Sequence, residues 1–118
     1  MNKHLFTSGV ALCAALWMRP AAGVQIFVEA EQFENRGGWV NDSQFMDLMG
    51  SPFLLAHGMG RPVADATTTV SVPEDGVYSV YARTGNWTAP WSSHAAGVFR
   101  VAVDGAELAQ DLGTGSAG

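Results

Sequence analysis

With 118 residues the chain has room for one small domain and no more. Its 6 basic and 11 acidic residues leave a net charge of −5 with histidine neutral, a surface that repels a phosphate backbone and argues against nucleic-acid binding. One cysteine, Cys13, is too few for an intramolecular disulfide or a thiolate-held metal.

The chain opens on Lys3 and His4, followed by 13 residues of apolar character, LFTSGVALCAALW (Leu5–Trp17), and then by RPAAG, a helix breaker with small residues. This is the pattern of a secretory signal peptide. It is shorter than the roughly 20 residues that a membrane span needs. Ala21 and Gly23 satisfy the small-residue rule for cleavage, so the expected layout is a leader over 1–23 and a mature domain over 24–118. Cys13 raises a lipoprotein alternative, but Leu12 stands where a small residue belongs and the run stays apolar after it, so Cys13 reads as filler. The mature chain then has no cysteine, and its four arginines against 11 acids give a net −7, which suits an exported protein with no membrane attachment after cleavage.

From Val24 onward, short alternating runs are separated by turn residues. In QIFVEAEQF, Ile26, Val28 and Ala30 share one face and Glu29 and Glu31 the other. Phe45, Met46, Leu48 and Met49 change to helical spacing, with Asp42 or Ser43 to cap the start and Gly50 to end it, which predicts one short helical turn. SPFLLAHG reads as a strand closing at Gly58 and Gly60. ATTTVSV is another, with Ala66, Thr68, Val70 and Val72 inward. Pro73 to Gly76 form a turn before VYSVYARTG, and GVFRVAV follows with Phe99, Val101 and Val103 on one face. Asp104-Gly105 is a two-residue hairpin signal leading into AELAQDL. About six strands with no βαβ rhythm predict an all-β antiparallel sandwich or jelly roll, which in complete form has about eight. The chain ends on a glycine-rich turn without a closing strand, and so reads as the front of something longer.

That ending, GTGSAG (Gly113–Gly118), fits the dinucleotide pattern G-x-G-x-x-G. The pattern works by turning a strand tightly into a helix whose N-terminus holds a pyrophosphate. No helix, βαβ unit or later acidic residue accompanies it, so the expectation is a turn, not a cofactor loop.

Other constellations allow two readings each. Trp87 and Trp91 flank a proline in NWTAPW; they offer flat faces to a sugar ring or pack inward to close one end of the domain. Asn86-Trp87-Thr88 and Asn41-Asp42-Ser43 fit the glycosylation sequon. Glu29 and Glu31, two positions apart on a strand, share a side and either offer oxygens to calcium or form a solvated face. His57 and His94 share no ligand spacing and read as loop residues, while Asp65 and Arg83 are candidates for a structural ion pair. No residue stands in a catalytic context, and Ser116 is out of frame for a nucleophile elbow.

VEAEQF opening a domain, then VPEDGVYSVYAR, then FRVAVDG, resembles carbohydrate-binding modules of families six and thirty-five, which are galactose-binding-like jelly rolls. In those modules an early AE strand contributes to a structural calcium site, which the resemblance carries onto Glu29 and Glu31. The stretch FVEAEQFENRGGWVNDSQFMDLMGSPFLLAHGMGRPVADATTTVSVP with RTGNWTAPW is more closely similar to the N-terminal β-sandwich of exported bacterial FAD-dependent oxidoreductases. What this implies is a non-catalytic accessory module, with FAD held in chain beyond these residues. Its expected partner is a glycan or the adjoining catalytic domain, with Trp87 and Trp91 as contact residues. The alternative is a stand-alone secreted sugar-binding module.

Overall fold

Alternation of apolar and polar residues favours strands that bury one face, and strands dominate this chain. The computed structural model describes residues 2–9, 12–13, 15–20, 23–86 and 97–114, with 2–20 and 114 described as backbone alone. The elements in order are β1 (Asn2–Gly9), β2 (Leu12–Cys13), β3 (Ala15–Pro20), β4 (Ile26–Glu29), a 3-10 turn (Ala30–Gln32), β5 (Trp39–Asp42), α1 (Met46–Met49), β6 (Phe53–Ala56), β7 (Val63–Ser71), β8 (Tyr78–Arg83), β9 (Gly97–Val103), β10 (Ala106–Glu107) and β11 (Leu112–Thr114).

The strands gather into three small antiparallel sheets. The largest has the order β10-β9-β1-β7, with β11 also on β9; the others are β2-β6-β5 and β4-β3-β8. Within the expected leader over 1–23, the described residues run as β1, β2 and β3 and contribute one strand to every sheet. Among the described residues no helix is long and apolar enough to cross a membrane.

The expected inward faces are buried. Ala66, Thr68, Val70 and Val72 all point into the molecule from β7 and its end, as do Phe99 and Val101 from β9. Ala66, Val70, Phe99 and Val101 form the main core with Ala30, Phe33, Trp39, Leu54 and Ala56. A second, smaller cluster joins Met49, Phe53 and Leu55, against which Phe45 packs with its ring stacked on Phe53 at 6.1 Å. Asp104 (φ 51°) and Gly105 (φ 82°) form the expected two-residue hairpin between β9 and β10, both in the left-handed region that such a turn requires.

Three local expectations are corrected. Asp42 does not cap α1: its carboxylate accepts from the Gln44 amide at 2.7 Å and from Gln44 Nε2 at 3.0 Å, and Phe45 takes the N-cap position without a side-chain bond. Gly50, at φ 80°, does end the helix. β5 has no counterpart among the expected strands, because WVND is four residues long and only Trp39 at its start is buried. The start of GTGSAG is strand, not turn: Gly113 pairs with Val98 on β9. Residues 115–118 lie outside the described residues.

Candidate functional site

Two neighbouring features of the β4-β3-β8 sheet hold the candidate chemistry. On β4, Ile26 and Val28 pack on the core, which turns Phe27 and Glu29 to the other face. On β8, Tyr78, Val80 and Ala82 pack on the core, which turns Tyr81 and Arg83 outward. The register sets Phe27 and Tyr81 opposite the same residue, Trp17 of β3, and sets Glu29 and Arg83 opposite Ala15. The outer face thus carries Phe27, 54% exposed, and Tyr81, 56% exposed, in one row with a carboxylate and a guanidinium in the next. Arg83 donates from Nη2 to the Leu48 carbonyl at 3.0 Å, so this cation is anchored to the last turn of α1 and not to Asp65, which is exposed on β7.

Glu29 and Glu31 lie close together, but by a geometry that differs from the expected strand alternation. Glu29 ends β4, whereas Glu31 lies in the 3-10 turn, where Ala30 is buried and its carbonyl accepts from the Phe33 amide. The turn brings the two carboxyl groups into hydrogen-bonding contact. Desolvation, then the charge of Glu31, then this hydrogen bond raise the Glu29 pKa above the ordinary carboxylate value. Glu31 Oε2 is buried without a hydrogen-bond partner among the described residues. Arg36, the nearest basic residue in sequence, donates to the Glu31 backbone carbonyl at 2.9 Å and leaves the carboxylates to each other.

Two carboxylates and an orphaned oxygen suit a hard cation in donor type, but calcium takes 6–8 oxygens. Among the described residues no group of three or more His, Cys, Asp or Glu converges on one point. Glu29 and Glu31 by themselves provide fewer oxygens than such a shell needs.

A raised carboxyl pKa carries a sign. The stability linked to protonated Glu29 is complete below the ordinary carboxylate range and is lost as pH rises through the raised value. Denaturant midpoints measured across that window are expected to fall for the native chain and to stay flatter for Glu29→Gln, which keeps a donor but cannot ionise. Equal slopes would mean that the pair does not couple.

Gly113 on an edge strand opens no helix, so the residues of GTGSAG that are described do not fit a dinucleotide phosphate, and no FAD contact is assigned to them. Trp87, Trp91 and His94 lie outside the described residues, and His57 is an exposed residue following β6. Sequence reading passed over Phe27 and Tyr81, although the alternation in QIFVEAEQF and VYSVYAR already placed both outward. No protein-family model matches this chain, and no curated protein or solved structure matches it either.

Proposed function

We propose that this chain is an exported, non-catalytic accessory module with a leader over 1–23 and a galactose-binding-like sandwich built from the strands that follow it. In this reading it is the front of a FAD-dependent oxidoreductase and docks to a glycan or to the catalytic domain, while a flavin bound elsewhere supplies the redox chemistry. The observation that supports it lies on two strands outside the leader, where half-exposed Phe27 with Glu29 on β4 and half-exposed Tyr81 with Arg83 on β8 turn away from the core. Flat apolar rings beside charged hydrogen-bonding groups match the two faces of a sugar, whose C–H side stacks and whose hydroxyls bond.

Retention on immobilised polysaccharides tests it. Phe27→Ala and Tyr81→Ala are each expected to weaken glycan binding by about tenfold, the equivalent of roughly 1.4 kcal/mol. Loss in Trp87→Ala and Trp91→Ala alone would move the sugar site to the NWTAPW loop. No retention by the native chain would leave the catalytic domain as the partner. Calcium belongs to the same reading: added Ca²⁺ should raise the melting temperature of the native chain and not that of Glu31→Gln. A stand-alone sugar-binding module is the second reading, and it predicts the same glycan results with no partner domain.

A further inference from the structure

We propose that Met59, at the tip of the turn between β6 and β7, is an oxidation site. Hydrogen peroxide converts its thioether to the sulfoxide while the fold stays intact, and the sulfoxide stays open to enzymatic reduction. The proposal stands on the side chains of residues 46–63 and is independent of the accessory-module reading.

The turn places the sulfur. The Arg61 amide donates to the Gly58 carbonyl at 3.0 Å, which closes a turn whose central pair, Met59 (φ 49°) and Gly60 (φ 84°), is left-handed. Glycine adopts such angles freely, whereas methionine does so at a conformational cost. The bend is tight, for a Cβ on Gly58 would run into the Arg61 carbonyl and press on Val63. The Met59 side chain projects from this bend and is 97% exposed. A methionine ordinarily fills an apolar gap; here it fills none, and what remains distinctive is the reactivity of its sulfur.

Two methionines of α1 give the contrast. Met46 is 44% exposed, and Met49 is 4% exposed, clustered with Phe53 and Leu55. In the reaction a sulfur lone pair attacks one peroxide oxygen, the O–O bond breaks and an S–O bond forms. The displaced hydroxide takes the proton from the transferred oxygen and leaves as water, so the thioether loses an electron pair and the peroxide gains it. Access to the lone pair sets the order, with Met59 first, Met46 next and Met49 last. The consequence differs as well. At Met59 the new polar oxygen enters water and no burial is lost, whereas at Met49 it would enter an apolar cluster.

The test treats the full chain with dilute hydrogen peroxide and follows oxygen uptake at each methionine by peptide mass spectrometry. Met59 is expected to oxidise at least about tenfold faster than Met49, which reacts only when its cluster opens. Chain oxidised at Met59 alone should keep the denaturant midpoint of the untreated protein. Met59→Leu should lose the fast uptake and leave the slow oxidation of Met49 as it was. Because the sulfoxide forms as two epimers, a pair of methionine sulfoxide reductases, one for each, should return Met59 fully to the thioether. Equal rates at Met59 and Met49, a lower midpoint after oxidation at Met59, or fast uptake at Met49 in Met59→Leu would each overturn the proposal. Resistance of the folded, oxidised chain to both reductases would overturn its reversible part.

Discussion

Phe99→Ala should be among the most damaging single truncations, lowering the unfolding free energy by about 3–5 kcal/mol. Phe99 is 1% exposed at the middle of β9, where β1 pairs on one side and β11 on the other. Its ring meets the edge of Trp39 at 6.1 Å and 85°, a contact that joins the β9 sheet to the β5 sheet through the main core. Truncation removes an aromatic side chain and leaves a void that the flanking strands cannot close without breaking their ladders. Equilibrium denaturation of the full chain measures it, and a cost under about 1 kcal/mol would mean that this core is not packed as described. Trp39→Phe is a useful contrast. Trp39 Nε1 is buried without a partner among the described residues, so that variant trades lost volume against relief of an orphaned donor and should cost far less.

Gly37→Ala is expected to rival that loss by a different route. Gly37 has φ 54°, and a Cβ there would run into the backbone carbonyls of Asp65 and Ala64 on β7. Neither carbonyl is free to move. Gly38 N–H donates to Ala64 O at 2.9 Å, and Asn35 and Thr67 exchange backbone hydrogen bonds at 3.0 and 2.7 Å on either side of the contact. The methyl group must push the 35–38 segment off β7, and Trp39 with it, out of the core. A loss of at least about 2 kcal/mol follows from combined backbone strain and lost burial. Gly60→Ala provides the control: its φ of 84° is also left-handed but no atom lies within 4 Å of the added methyl, so only the conformational penalty of about 1 kcal/mol applies. Similar losses in both variants would show that close approach at Gly37 is not what requires glycine.

The candidate site was only partly legible. Glu29 and Glu31 stood out as paired acids, yet the reason they meet is a 3-10 turn, and alternation along a strand would have described a different geometry. Phe27 and Tyr81 each read as an unremarkable outward residue, because nothing local shows that β4 and β8 flank the same strand. The Asp65 and Arg83 pairing failed for the same kind of reason. Arg83 reaches a helix carbonyl 35 residues away, and a guanidinium accepts whichever oxygen the fold brings near.

What the sequence by itself determined is local: the buried faces of β7 and β9, the Asp104-Gly105 hairpin, the short helix ended by Gly50, and the mostly β character. These depend on side-chain period and on the φ angles that particular residues tolerate, and both are properties of a few neighbouring positions. Only the tertiary structure decided that β7 and β8, joined by a short turn, belong to different sheets, and that β1 stands between β7 and β9, strands far along the chain. Strand partners are chosen by backbone groups that every residue carries alike, so the choice is made by long-range packing and leaves no mark on any short stretch of sequence.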